Sequence, residues 1–217
     1  MDQLSLPFFG IVIAISVVFL FYATRKIRRM LGLARTNSNM IKIAFSSDAE
    51  GKIKSIIGAA KFPLIFDMVI EHIGGKPDIY LSSMKKDFSK LIKSAESVIS
   101  GDYKIREDDY LIFHHGGESE VIGCELERDE ALSMDFGSID LSKVNEIGEG
   151  AAIRMVFISG KKVPVHMFFS APSQFQLREI IEGATAPFKG KGCKVLKNKE
   201  AVLRDFNSPD FINRTSR

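Results

Sequence analysis

The sequence predicts an α+β fold: an apolar N-terminal helix long enough to span a bilayer, followed by two tandem β-α-β-β-α-β units. Three observations predict it. Residues 4–23 carry no charge. From residue 41 to residue 196, apolar patterns of period 2 and period 3.6 alternate in an order that repeats. The two central hairpins also match at one spacing: Met68-Val69-Ile70 against Met155-Val156-Phe157, and Pro77 against Pro164, all 87 residues apart.

The uncharged run is LSLPFFGIVIAISVVFLFYA. As a helix rising ~1.5 Å per residue it covers about 30 Å, the thickness of bilayer hydrocarbon. Pro7 falls in the first turn, where a missing N–H does least harm, and Tyr22 falls at the interface. A cleaved signal peptide needs a basic leader and a small-residue exit. This leader has Asp2, and the exit is Thr24-Arg25-Lys26. The expectation is an uncleaved anchor over 1–24. Arg25, Lys26, Arg28 and Arg29 follow it directly and are the candidate contacts to anionic headgroups. By the positive-inside bias the N-terminus lies outside and the remainder in the cytoplasm, which gives a single-pass protein of the cell membrane. Residues 25–40 read as a basic juxtamembrane linker.

The first unit is expected over 41–116. IKIAFS is a strand. Ser47 or Asp48 caps a helix with Ile53, Ile56, Ile57 and Ala60 on one face, and Pro63 stops it. LIFDMVIEHI alternates, with Asp67 and Val69 on one side and Phe66, Met68 and Ile70 on the other. Gly74-Gly75 turns the chain into PDIYLSSM. A helix from Asp87 follows, with Phe88, Leu91, Ile92, Ala95, Val98 and Ile99 in line. Gly101 ends it, and a last strand lies within 103–113.

The second unit is expected over 117–197. VIGCELE is a strand, and a short helix lies within 132–147, capped near Ser138 or Asp140. The hairpin is AAIRMVFIS with VPVHMFFS. Ser173 caps a helix with Leu177, Ile180, Ile181, Ala184 and Phe188 in line, and CKVL closes the unit. This order is that of the split βαβ, ferredoxin-like arrangement. Residues 198–217 form a C-terminal tail.

Charge is uneven. The chain of 217 residues has a formal charge of +3, but residues 36–188 carry −6, between a basic N-terminal flank and a tail of +5 over 189–217. The acidic body opposes phosphate. The third strand of each unit has one or two isolated aromatics, Tyr80 in one and Phe168 in the other, without an RNA-binding pattern, so the body is not expected to bind nucleic acid. The basic tail is free to meet lipid, nucleic acid or an acidic protein.

Chemistry-bearing clusters are few. No phosphate-binding glycine loop, nucleophile elbow or HExxH helix occurs. His114-His115-Gly116-Gly117-Glu118 brings two imidazoles and a carboxylate together, yet reads best as an interdomain loop. Glu118, Glu120, Glu125, Glu127, Asp129 and Glu130 read as a solvated strand edge rather than an acid–base pair, which needs two differing environments. Cys124 reads as a small buried hydrophobe and Cys193 as a partly exposed thiol, both reduced in a cytoplasmic domain. No catalytic residue, metal ligand or cofactor site is assigned.

Gly148-Glu149-Gly150-Ala151-Ala152-Ile153 resembles the G-E-x-A-x-I run of a prokaryotic membrane-anchored ferredoxin-like module associated with conjugation and type IV secretion-like ATPases. The stretch 66–110 is similar to it as well: a hairpin through Gly74-Gly75, then Ile79-Tyr80-Leu81, a helix, and a strand at Asp109-Tyr110. The likeness covers most of 60–188 plus the span. Arg154 stands where that family often has Gln, and Met84 where it often has Pro. The chain ends without an ATPase domain. The resemblance implies an assembly role beside an ATPase supplied by another chain.

The function expected is therefore a non-enzymatic scaffold that holds partner subunits, or further copies of itself, in a secretion or DNA-transfer type machine. Tyr80, Phe168, Phe206 and Phe211 are the candidate partner contacts. The alternative is a membrane-anchored regulatory protein that senses a small molecule between its two units.

Overall fold

The computed structural model describes residues 38–44, 46–70, 74, 76–99, 103–106, 117–157 and 161–197. In chain order these form β1 (Ser38–Ala44), α1 (Ser47–Ala59), β2 (Leu64–Val69), β3 (Asp78–Met84), α2 (Phe88–Ile99), β4 (Lys104–Arg106), β5 (Glu118–Glu127), α3 (Arg128–Ser133), β6 (Gly150–Phe157), β7 (Lys162–Ala171), α4 (Gln174–Thr185) and β8 (Lys194–Val195).

The expected fold class needs correction. Among the described residues no helix is long and apolar enough to cross a membrane. The strands form one eight-stranded antiparallel sheet rather than two separate units behind an anchor. The expected span, the anchor 1–24 and its basic flank lie outside the described residues. The single-pass assignment, and the cell-membrane localisation that followed from it, are carried no further.

Smaller corrections are local. β1 begins at Ser38, inside the expected linker, because residues 38–40 pair with 82–84 of β3. Ser46, not Ser47 or Asp48, caps α1: its hydroxyl accepts from the Ala49 N–H at 3.1 Å. Asp87 ends a single 3-10 turn, and its carboxylate accepts from Lys90 Nζ at 2.6 Å. The helix expected within 132–147 is displaced to α3, Arg128–Ser133, and a 3-10 turn at Phe136–Ser138 follows it. A reciprocal capping box between Glu127 and Glu130 starts α3 early, from a signal the apolar spacing does not contain.

The strand order is β4-β1-β3-β2-β6-β7-β5-β8. Each half has its fourth strand outermost, then its first, third and second. The halves meet through their second strands, β2 and β6, with Leu64 opposite Phe157 and Val69 opposite Ala152. Both strands are buried along their whole length. That explains their nearly continuous apolar sequences, LIFDMV and GAAIRMVF, since a strand covered on both faces has no solvent side to alternate with.

All the described helices with buried apolar stripes pack on one face of the sheet. Ile53, Ile56 and Ile57 of α1, Leu91, Ala95 and Ile99 of α2, and Leu177, Ile180 and Ala184 of α4 share one core with Phe66, Met68, Met155 and Phe169. This core crosses the junction between halves. Phe136, after α3, stacks on Phe66 of β2 at 4.6 Å, and its N–H donates to Glu50 Oε1 of α1 at 3.1 Å. Arg128 at the start of α3 donates to the Ile57 carbonyl near the end of α1 at 3.1 Å, where a helix has unsatisfied acceptors. The other sheet face carries smaller apolar groups, Met40, Val69, Tyr80, Val121, Ala152 and Phe168 in one and Ile65 with Val156 in another, and among the described residues no helical residue belongs to either.

At the centre of the β2–β6 joint, Asp67 faces Arg154 directly. Arg154 Nε donates to Asp67 Oδ1 and Nη2 to Oδ2, both at 2.6 Å, a two-pronged pair with side chains 0% and 2% exposed. These two residues are each other's counterparts, because the 87-residue spacing that relates Met68 to Met155 also relates Asp67 to Arg154. The pair therefore sits on the pseudo-twofold axis of the sheet. The spacing does not persist into the next strand. Asp67 faces Tyr80 and Arg154 faces His166, so Tyr80 corresponds to His166, 86 residues on. The Pro77–Pro164 match is consequently not a structural equivalence: Pro77 precedes β3, whereas Pro164 lies inside β7 opposite Glu125.

Removing one charge from this pair takes from the other, buried in the interior, its two-pronged partner. Asp67→Asn or Arg154→Met alone is expected to cost about 3–5 kcal/mol. Asp67→Leu combined with Arg154→Met is expected to cost less than either single change. Urea unfolding of the three variants measures the ordering.

Candidate functional site

The sites that remain for contact with other molecules are built by the two ends of the sheet and by the turn entering β6. At one end, β4 lies on β1 through three pairs, Met40–Arg106, Ile41–Ile105 and Lys42–Lys104. Tyr103, just before it, donates its hydroxyl to Glu96 Oε1 of α2 at 3.4 Å. Desolvation, and then the Glu96 charge, raise the Tyr103 pKa above the ordinary phenol value, so it stays a donor.

At the other end, Phe188 is buried beneath the exit of α4, and Gly190 and Gly192 take φ of +80° and +69° to turn the chain back. Lys191 in that turn donates to Glu130 of α3. β8 then pairs with β5, Ile122 opposite Val195 and Gly123 opposite Lys194, and the Leu196 N–H donates to the Val121 carbonyl at 2.8 Å. Leu196 lies over Gly123, where an added Cβ would stand 2.9 Å from its Cδ1. Ile105 and Val195 occupy corresponding positions on the two outer strands and are 56% and 54% exposed. Ile147 and Phe175 are exposed as well, on neighbouring segments bridged by the hydrogen bond from Gln176 to Glu146.

The run that carries the family resemblance has a structural task of its own. Gly148 takes φ of +91°, and a Cβ there would lie 3.1 Å from Pro172 Cγ. The largely buried Glu149 carboxylate accepts the N–H groups of Asn145 and Glu146 at 2.8 and 2.9 Å, closing the turn that delivers the chain into β6.

Tyr80 and Phe168, expected as partner contacts, are fully buried in one apolar group with Met40, Val69, Val121 and Ala152. Phe168 meets the His166 ring edge-on at 6.3 Å, and Lys42 Nζ lies 5.8 Å from the Tyr80 ring centre. Phe206 and Phe211 lie outside the described residues, as do Arg25, Lys26, Arg28 and Arg29. So do His72, His114 and His115. Of the acidic stretch, Glu118, Glu125, Glu127 and Asp129 are exposed. Among the described residues no three His, Cys, Asp or Glu side chains converge as a metal site. Sequence reasoning missed Ile105 and Val195 as exposed contacts. Brief strands beside charged residues are the signal, since outer strands are commonly kept short.

Two outcomes test this account. Glu149→Ala leaves two backbone donors without their acceptor and is expected to cost about 1–3 kcal/mol in thermal unfolding. Acid should also weaken the fold. The hydrogen bond from Lys191 holds the Glu130 carboxyl below its ordinary pKa, and the Ser142 hydroxyl and then its N–H do the same for Asp140. Each carboxyl binds a proton more weakly folded than unfolded. Its contribution is therefore complete above the ordinary carboxylate range, about pH 4, and is lost as pH falls through the lowered value. The unfolding midpoint should fall below that pH, and Lys191→Met should remove the larger part of the Glu130 share of the slope, the Glu127 N–H keeping the rest. Compared with known proteins, the chain matches no protein-family model and no curated protein sequence.

Proposed function

We propose that this chain is a non-enzymatic assembly module that holds partner subunits, or further copies of itself, through the outer strands of its sheet. The observation that carries the reading is the way the halves join. They associate edge to edge through β2 and β6, and among the described residues the same kind of edge recurs at both ends of the sheet in β4 and β8. Each outer strand presents one exposed branched apolar side chain, Ile105 or Val195, next to lysines. Added strands take their affinity from backbone hydrogen bonds and their specificity from such side chains. The resemblance of residues 148–153 and 66–110 to the conjugation-associated module supports a secretion or DNA-transfer type machine as the setting, with an ATPase on a separate chain as a partner. The alternative of a small molecule held between the units has less support, because β2 and β6 are directly hydrogen-bonded there and Phe136 stacks across the joint.

The experiment is sedimentation velocity of the full chain, alone and with a purified conjugation-type ATPase from the same cell, with crosslinks mapped by mass spectrometry. Association is expected, with crosslinks concentrated at Lys104 and Lys194. Ile105→Lys with Val195→Lys should weaken it by about tenfold or more, the effect of losing one well-packed apolar contact. A monomer indifferent to concentration and to the ATPase would sink the proposal.

A further inference from the structure

The register of β8 on β5 brings together two residues far apart in the sequence. Beyond the pairs Ile122–Val195 and Gly123–Lys194, the next position sets Cys124 opposite Cys193. The Leu196 N–H bonds to the Val121 carbonyl, so 121 and 196 form a hydrogen-bonded pair. Alternation along an antiparallel ladder then makes 124 and 193 a non-hydrogen-bonded pair, the type whose Cα atoms approach to about 4.5 Å. That lies within the range of about 4.4–6.8 Å that a disulfide spans. Both thiols are free, half-buried and packed against the helix-side core. The Cys193 thiol lies 3.7 Å from the Phe188 carbonyl, which fixes the turn behind it.

We propose that Cys124 and Cys193 form a redox latch, closing as an intramolecular cross-strand disulfide when a low-molecular-weight disulfide such as oxidised glutathione is the oxidant. The Cys193 thiolate attacks one sulfur of glutathione disulfide, whose S–S bond breaks and releases one glutathione thiolate. The Cys124 sulfur, giving up its proton, then attacks Cys193 in the mixed disulfide and expels the second glutathione. Two protein thiols are oxidised, one glutathione disulfide is reduced, and the two protons end on the two glutathione thiols. Cys193 reacts first because burial, and then the neighbouring Cys193 thiol, push the Cys124 thiol well above the usual pKa, leaving it the slower nucleophile. β8 is two residues long, so a covalent tie to the ten-residue β5 changes how firmly that end of the sheet is closed. The latch is independent of the assembly reading; only its effect on docking at β8 rests on that reading.

The test equilibrates the full chain across a series of reduced and oxidised glutathione ratios, followed by intact mass, peptide mapping and hydrogen exchange. The expected product is a monomer lighter by two hydrogens, carrying a Cys124–Cys193 peptide and no glutathione. Exchange at the Leu196 amide should slow by about tenfold relative to the reduced chain. Cys124→Ser should instead stop at a glutathione adduct on Cys193. An unchanged mass across the series, a lasting adduct on the unaltered chain, or dimers linked through Cys193 would each overturn the latch. Sedimentation of the reduced chain reports on assembly separately.

Discussion

The Asp67–Arg154 pair sets the terms for the rest of the sheet. Desolvating two charges costs several kcal/mol per ion, and the bidentate bonds offset this only in one geometry. The pair is therefore a weak source of net stability and a strong source of register. Sliding β6 against β2 by one residue would turn Arg154 toward Phe66 and Met68 and leave Asp67 without its main partner. With β2 and β6 locked, β3 and β7 are placed by their hairpins. The outer strands follow, and the helices of both halves come to share one apolar layer.

Much of this order was legible in the sequence because short-range patterning controls it. The alternation of Phe66, Met68 and Ile70 against Asp67 and Val69, the Ser173 cap, the stop at Pro63 and the positive-φ turn at Gly74 are local properties, and local physics decides them. What stayed illegible was decided at long range. That Tyr80 and Phe168 are buried with Met40, Val69, Val121 and Ala152 depends on which strands lie side by side. The 87-residue match of the hairpins is real for β2 and β6 and misleading for β3 and β7, where the pairing differs by one residue and so exchanges the two faces. The short helix was misplaced because Glu127 and Glu130 start it through polar bonds rather than through an apolar stripe.

The candidate site was the least legible part. Nothing in KIR or KV distinguishes an outer strand from a loop, yet these two segments end the sheet among the described residues. The glycine–glutamate run was legible as a motif but not as a mechanism. Its glycine supplies a left-handed turn and its carboxylate ties two backbone amides, so the fold itself requires both residues whatever else they do. The two cysteines show the same limit. They are 69 positions apart in the chain, and the register of one ladder, continued by one position, sets them opposite each other (124 to 193).

Opposite charges at mutually equivalent positions make this a joint of unlike partners. Two copies of either half meeting through this same strand would set aspartate against aspartate or arginine against arginine on the axis, where like charges directly opposite repel. Each half is thus matched to the other and unsuited to a symmetric pairing with its own copy.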